Sequence, residues 1–405
     1  MKTAAPTDAR PAAVCVEFKS YADFDRAKTQ NSADAPFTES EWTEIITSPS
    51  SSRAFAVRLA AKRAACELFP REVIAGLIRP VDFEIREVSE LRITVHPGES
   101  ARGLLARRLV AGVEVSVKCA GSTATATAQL VQHPLHEPWF GTWAYHLFPF
   151  RRRLTLANLH RVFGEFVPAE RIRRLACAYY AHVLNSLLEM IRLPLMSKQR
   201  RAQWVRVENV ESLIRAHDAG KGLIVLTGHF GNWEAATVAA LKQFPQYAGK
   251  FHFLRRPLKP RWFDRLITRR FRRAGFETLS KRGSMEAILK LLGEGAIIVF
   301  TFDQHAGRPD GIPVDFLGHP AGTFKSLAIL ALSTETAVIP ACTWREPDGR
   351  HVLRFEEPVP LIQNDNVGEA IRQNTRAYNA ALERMLLRHP EQWIWMHRRW
   401  KLPPR

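Results

Sequence analysis

Cysteine is scarce in this chain, and its few copies are not paired. Five cysteines are scattered over 405 residues, an odd number without regular spacing. This pattern argues against a disulfide framework and against a structural metal site, since both need paired or clustered cysteines. We therefore expect a protein of a reducing compartment with no bound metal.

Long apolar runs are also missing. The first residues (MKTAAPTD) lack the apolar core of a signal peptide, and nowhere do eighteen uncharged apolar residues follow one another. The sequence therefore predicts a protein that is soluble or attached to a membrane surface, rather than one that spans a bilayer.

Acidic residues are much fewer than basic residues. The chain has 58 lysines and arginines against 40 acidic residues, a formal charge of +18. An acidic partner is therefore expected, whether nucleic acid, an anionic lipid surface or an acidic carrier protein. No zinc-finger spacing, glycine-rich phosphate loop or RNA-recognition signature occurs. Charge alone supports nucleic acid, and we do not expect it as a partner.

The most informative stretch is Leu226–Glu234 (LTGHFGNWE), where an apolar strand leads into a histidine followed five residues later by a carboxylate. On one ideal helix, residues five apart point about 140° from each other. A turn loosened by Gly231 is therefore needed to bring His229 and Glu234 together. The carboxylate would then hold one ring nitrogen as N–H while the other accepts a proton from an attacking hydroxyl, which suits acyl transfer. A packed or solvated histidine and a metal ligand are the alternatives.

Strands and helices alternate in the region that follows residue 139. This alternation predicts an α/β fold with a mainly parallel sheet flanked by helices. Within this region, Pro168 opens a long amphipathic helix whose apolar positions, among them Tyr179 and Leu187, are expected to pack in the core. His229 and Asp303 both follow strand ends, where such sheets usually build their sites. Strands are predicted at Leu223–Leu226, Phe251–Leu254, Ile297–Phe302 and Ala337–Thr343, and helices near 234–243, 260–274, 283–293, 323–335 and 367–388.

Several segments in a fixed order point to one family. Besides Leu226–Glu234, they are RRRLTLANL (151–159), RRPL (255–258), GAIIVFTFDQ (295–304), VDFLGHPAGT (314–323), VIP (338–340) and PEQWIWMHRRWK (390–401). Leu226–Glu234 resembles the first motif of the lysophospholipid-acyltransferase-like enzymes. With the other segments, residues 139–405 resemble the bacterial lipid A biosynthesis acyltransferases, which include the lauroyl and myristoyl transferases.

The resemblance implies a glycerolipid acyltransferase-like fold and a reaction. The donor would be an acyl thioester, on acyl carrier protein or coenzyme A, and the acceptor a hydroxyl of a lipid or glycolipid, with no bound cofactor. His229 would be the base and Glu234 its partner. Arg256 would bind a phosphate or another acidic group near the acceptor. Asp303 and Gln304 would shape the substrate pocket or, as a buried polar pair, tie down a loop.

Two segments predict attachment to a lipid surface. Trp139–Phe150 is rich in aromatic residues but too short to span a bilayer. In Pro260–Gly275, apolar residues recur at helical spacing between arginines, which suits an anionic membrane surface. An ordinary surface helix with its apolar stripe in the core is the alternative, and Trp393–Lys401 has the same two interpretations. We expect a peripheral protein at the cytoplasmic face of the bacterial inner membrane.

Residues 1–132 are predicted to form a separate small α+β domain. Its boundary is placed where alanine and threonine, and then proline, accumulate, from Thr123 to Pro138. Segments at 16–17, 37–41, 55–64 and 113–118 resemble a holo-acyl-carrier-protein synthase, a small phosphopantetheinyl transferase.

That second resemblance breaks where the chemistry lies. Arg63 stands where that family has a metal-binding glutamate, and Lys118 where it has a histidine. The resemblance implies a degenerate domain that keeps affinity for acyl carrier protein through Arg58, Lys62 and Arg63, or that serves packing alone.

The chain is thus predicted to have two domains, residues 1–132 and the acyltransferase domain 139–405. The alternative is a non-catalytic module that binds acyl carrier protein or a membrane. Dispensable His229 and Glu234 would favour that alternative.

Overall fold

The chain divides into two compact units. A computed structural model describes residues 12–17, 36–70, 73, 78–88, 93–120, 123–135, 137–241, 243–255, 260–280 and 283–401. One unit comprises Met1–Pro134 with Phe163–Arg171, and the other Leu135–Val162 with Ile172–Arg405. Each unit contains its own sheet.

The first unit is built on a five-stranded antiparallel sheet in the order β1-β5-β4-β3-β2. Its core is formed by small and β-branched residues of the sheet and by alanines of one helix. The strands are β1 (Ala12–Glu17), β2 (Phe83–Val88), β3 (Ile93–Pro97), β4 (Val110–Ala120) and β5 (Thr123–Gln132), and the helices α1 (Glu39–Thr47), α2 (Ser51–Glu67) and α3 (Glu99–Arg107).

The alternating alanines and threonines after residue 123, where the domain boundary was placed from the sequence, belong to the sheet of the first unit. They form β5, which pairs with β1 on one side and β4 on the other. Ala124, Ala126 and Ala128 are fully buried, while the threonines between them are half-buried. They belong to the same core as the buried alanines of α2. Small residues on α2 and β5 let the helix and the strand approach closely. Because these residues are small, composition alone did not indicate a strand whose side chains alternate between two faces.

The second unit is built on a seven-stranded sheet in the order β6-β14-β13-β7-β10-β8-β9. Every pairing is parallel except that of β13 with β14, so the predicted α/β class is confirmed. A separate hairpin joins β11 to β12. The strands are β6 (Val205–Glu208), β7 (Leu223–Thr227), β8 (Phe251–Arg255), β9 (Phe276–Ser280), β10 (Ile297–Thr301), β11 (Gly311–Phe316), β12 (His319–Phe324), β13 (Val338–Arg345) and β14 (His351–Phe355).

The helices of this unit cover the sheet. They are α4 (Gly141–Leu147), α5 (Arg152–Phe163), α6 (Ala169–Arg192), α7 (Lys198–Trp204), α8 (Val210–Asp218), α9 (Trp233–Leu241), α10 (Arg261–Arg273), α11 (Met285–Gly293), α12 (Ser326–Thr334) and α13 (Val367–Arg388). No helix within the described ranges has the length and apolar character needed to cross a bilayer.

Strand order determines which loops meet. β7 and β10 are parallel neighbours, with Thr227 paired to Thr301 at their carboxyl ends. Consequently His229 and Asp303, each two residues beyond its strand, lie at the same edge of the sheet. The strand and helix predictions in this region are confirmed to within a few residues.

Two apolar segments differ in how they pack. The long helix α6 buries Tyr179, as predicted, but Leu187 is 56% exposed, contrary to the prediction that it packs in the core. The C-terminal Trp393, Trp395 and Trp400 are all buried, so this segment is core and not a membrane-facing stripe.

We expect Ala126→Leu to destabilise the first unit by about 1–3 kcal/mol, because added methylenes overpack a close helix–strand contact. Thr127→Val on the neighbouring, half-buried position is the matched control. Hydrogen exchange of β4 and β5 peptides in the full chain reports the local stability. Unchanged protection in Ala126→Leu would show that the α2–β5 contact is loose.

Candidate active site

The turn after β7 carries the predicted histidine and is shaped by two glycines. A Cβ at Gly228 would lie 2.8 Å from Oδ2 of Asp303, so only glycine lets that carboxylate approach. Gly231 has a φ of +54°, and a Cβ there would lie 2.6 Å from the carbonyl oxygen of Thr343. A side chain at Gly231 would therefore clash with the backbone of β13.

His229 is held by Asp303. Its Nδ1 lies 2.9 Å from Oδ1 of Asp303, and its backbone N–H donates to Oδ2 at 2.7 Å. An ionised carboxylate only accepts hydrogen bonds, so Nδ1 carries the hydrogen and Nε2 keeps its lone pair. Asp303 is 1% exposed. The indole N–H of Trp393 donates to its Oδ2 at 2.9 Å.

The carboxyl group of Asp303 stays ionised. Burial alone would raise its pKa, but the charge of His229, the two hydrogen bonds from His229 and the one from Trp393 outweigh burial and lower the pKa to about 2. A buried anion with all of these partners is fixed in place.

The structure shows which carboxylate lies at Nδ1 of His229. It is that of Asp303, because β7 and β10 are adjacent and bring their ends together. Both oxygens of Asp303 contact His229 and Trp393. Glu234 lies half-buried in the first turn of α9, and its catalytic role stays a prediction.

Gln304 faces the other side of the imidazole. Its Nε2 lies 3.3 Å from Nε2 of His229, so the amide donates to the ring nitrogen that is free of Asp303. Arg399, which is fully buried, fixes this loop by donating to the carbonyl oxygen of Gln304 at 3.1 Å and to that of Gly322 at 2.7 Å.

The C-terminal segment contributes residues that the sequence did not single out for the site. Asn158 of α5 donates to the carbonyl oxygens of Trp395 and His397, both at 2.8 Å. The adjoining Trp393 pairs with Phe230 as an isolated bridge. Asn158 belongs to the RRRLTLANL segment and Trp393 to PEQWIWMHRRWK, so two of the recognised segments meet next to Asp303. Both segments were recognised in the sequence, but their contact in the folded chain was not predicted.

An apolar cavity begins beside His229. The indole of Trp233 meets the imidazole edge to face at a centroid distance of 5.9 Å and also lines the cavity. Further lining comes from residues of the sheet and of α9, including Val225, Phe253, Val299 and Ala240. The lining is almost wholly apolar, so a group that enters from the His229 side would meet hydrocarbon and not polar side chains.

Arg256, the predicted anion-binding residue, lies outside the described residues. Among those that are described, no group of three or more His, Cys, Asp or Glu side chains is placed to hold a metal ion.

The basic residues predicted to bind a carrier protein do not form one exposed patch. Lys62 is fully buried and lies 2.5 Å from Oε2 of Glu41, whose Oε1 accepts from the backbone N–H of Ile85. Lys62 therefore holds α1, α2 and β2 together and cannot contact a carrier, so this part of the prediction is wrong. Arg58 pairs with Glu44 at 3.0 Å, and Arg63 is exposed.

Relatives of this chain are found in bacteria. A phosphatidylinositol mannoside acyltransferase of Mycolicibacterium smegmatis is 32% identical over 203 residues, 47% of this chain but only 62% of that protein. The lipid A biosynthesis lauroyltransferase of Escherichia coli K12 is 23% identical over 269 residues, 65% of this chain and 83% of that protein. A holo-[acyl-carrier-protein] synthase structure from Neisseria meningitidis aligns with 31% of this chain and 100% of its own, at 17% identity and a TM-score of 0.27.

One family model extends over most of the chain. The model of the bacterial lipid A biosynthesis acyltransferases matches residues 131–402. This match includes β7, β10, the paired His229 and Asp303, and the C-terminal tryptophans. The chain therefore belongs to the bacterial lipid A biosynthesis acyltransferase family.

Proposed function

We propose that the protein transfers a fatty acyl group from an acyl thioester, on acyl carrier protein or coenzyme A, to a hydroxyl of a lipid or glycolipid, with His229 as general base. The observation that carries the proposal is the His229–Asp303 hydrogen bond at the carboxyl edge of a parallel sheet, beside an apolar cavity. Two relatives are named for glycolipid acceptors, phosphatidylinositol mannoside and lipid A, which supports an acceptor of this class.

The reaction uses the two ring nitrogens differently. Nε2 of His229 removes the proton of the acceptor hydroxyl as its oxygen attacks the thioester carbonyl carbon. The resulting tetrahedral intermediate collapses, the C–S bond breaks, and the departing sulfur takes the proton from Nε2. Asp303 keeps Nδ1 protonated and stabilises the transient imidazolium.

The surroundings of the base set where each substrate lies. The acyl chain enters the apolar cavity past Trp233, which leaves its carbonyl carbon near Nε2 of His229. Gln304 holds Nε2 in the resting enzyme and gives way to the acceptor hydroxyl. Glu234 and Arg256 remain predicted to act in catalysis and in binding an acidic group of the substrate, respectively.

Attachment to an anionic lipid surface is part of the same proposal. The segment around α4 exposes Trp139 at 84%, Trp143 at 63% and Phe150 at 64%, a density of aromatic side chains suited to a bilayer interface. In α10, Phe271 is buried, whereas Trp262 is 67% exposed among exposed arginines, which supports a contact of this helix with lipid. The side chains of Phe263, Leu266 and Ile267 lie outside the described residues.

We expect His229→Ala and Asp303→Asn each to lower kcat by about 10² to 10⁴, because the first removes the base and the second its orienting charge. Since the two residues act as one unit, the double variant should be hardly slower than His229→Ala. Transfer of a labelled acyl group by purified protein is the measurement. Near wild-type turnover in His229→Ala would instead favour a non-catalytic binding module.

The pH dependence follows from the pKa of Asp303. Because this carboxyl protonates only near pH 2, it stays ionised at every higher pH and adds no step of its own to the pH profile. The acid limb of kcat above that pH should therefore have a slope of no more than one. A limb of slope two in the wild-type protein would mean that Asp303 also titrates there.

We expect the protein to sediment with vesicles containing anionic lipid, less so in high salt, since short aromatic and basic segments would make the contact. The double variant Trp139→Ala/Trp143→Ala should bind several-fold more weakly. Val367→Ala, at another exposed apolar position, is the matched control. Release from membranes by detergent alone, and not by salt or carbonate, would contradict peripheral attachment.

A further inference from the structure

A buried ion pair lies beneath the turn that carries His229, outside the residues that contact the imidazole. Arg345, at the end of β13, donates from Nε and one terminal nitrogen to the two oxygens of Glu189 on α6, at 2.6 and 2.7 Å. Their side chains are only 12% and 15% exposed. Such a two-pronged contact holds both planes in one orientation.

Glu189 reaches the turn through an amide. The Nδ2 of Asn232 donates to Oε2 of Glu189 at 2.9 Å and to the carbonyl oxygen of Ser186 at 3.3 Å. Asn232 is buried, and its Oδ1 accepts from the backbone N–H of Ala235 at 3.4 Å in the first turn of α9. The point where the turn becomes helix is thus tied to α6.

Arg345 reaches the same turn by a second route. Its backbone N–H donates to the side-chain oxygen of Gln392 at 2.7 Å, and its carbonyl oxygen accepts from the side-chain amide at 2.9 Å. The carbonyl oxygen of Gln392 in turn accepts from the N–H of Gly231 at 2.9 Å. The next residue, Trp393, donates to Asp303.

A third contact comes from His182. Its Nδ1 accepts from Arg345 at 3.0 Å, and the residue also hydrogen-bonds the backbone of Gly231. Burial, and then the charge of Arg345, lower the pKa of His182 to about 3. His182 is therefore neutral, and the charge of Arg345 is balanced by Glu189.

We propose that Glu189 and the side chain of Arg345 are positioning groups, which hold the His229 turn through Asn232 and through His182 and Gly231 so that the imidazole stays aligned with Asp303. The expected effect on reaction rate rests on the proposed function, whereas the alignment of His229 does not. Buried ion pairs rarely add net stability over apolar residues of similar volume. Misplacement of a catalytic group by about 1 Å costs on the order of 10²-fold in rate.

The test separates positioning from packing. In Glu189→Met/Arg345→Met, apolar side chains replace both charges, so neither charge is left without its partner, while Asn232, His182, Ser186 and His351 each lose a contact. The melting temperature should therefore fall, and kcat is measured at a temperature where the variant is folded. We expect kcat to fall about 10- to 100-fold, with KM for either substrate changed less than about threefold. Asn232→Ala keeps the ion pair but removes its tie to the turn, together with the contacts to Ser186 and Ala235, and should lower kcat similarly.

A spectroscopic readout makes the test independent of turnover. The Nδ1 proton of His229, assigned by its loss in His229→Ala, should give a low-field NMR resonance that shifts or disappears in both network variants. Glu357→Gln is the matched control, because it breaks an exposed pair with Arg215, at 3.1 Å with side chains 66% and 64% exposed. It should leave resonance, KM and kcat unchanged.

Each outcome decides between the two roles. A folded double variant with wild-type kcat and resonance would overturn the proposal. If the double variant does not fold, Asn232→Ala decides by the same criteria. If the wild-type protein transfers no acyl group with any donor and acceptor, the proposed function fails, whereas the resonance still shows whether the network aligns His229.

Discussion

The hydrogen bond between His229 and Asp303 depends on one constraint, the placement of β7 beside β10 as parallel neighbours. With Thr227 paired to Thr301, the residues two positions beyond each strand meet at the same edge of the sheet. Gly228 leaves room for the carboxylate, which also accepts from the backbone N–H of His229. A slip in this register would separate the base from its partner and leave Asp303 as an unpaired charge in the core.

The residues around His229 are held in place mainly by hydrogen bonds from other parts of the second unit. Trp393 and Arg399 close the C-terminal segment onto Asp303 and the Gln304 loop, and Asn158 fastens the same segment from α5. The Glu189–Arg345 pair holds the far end of the His229 turn. The polar groups around the imidazole are therefore held by hydrogen bonds to at least two other elements, which suits a base that has to be aligned before substrate arrives.

Local patterns were enough to predict the α/β class, four of the nine described strands and most of the described helices of the second unit, and His229 with Asp303 at strand ends. They could not show that Asp303, 74 positions after His229, supplies the partner carboxylate, because that pairing depends on strand order. Glu234 was the nearer acid in sequence and was preferred for that reason. Lys62 was mistaken for a surface charge, since burial beside Glu41 depends on contacts between α1 and α2. The alanines of β5 pack closely on α2, but in the sequence they were interpreted as the start of a domain boundary.

The central claim is that His229, aligned by Asp303, is the base of an acyl transfer to a lipid. The most direct measurement is lipid mass spectrometry of cells lacking the protein, complemented with either the wild-type chain or His229→Ala at equal abundance. The account predicts that at least one lipid gains a fatty acyl group with the wild-type chain and remains without it in the His229→Ala cells. Restoration of the acylated lipid by His229→Ala, or no lipid difference between wild-type complementation and its absence, would contradict it.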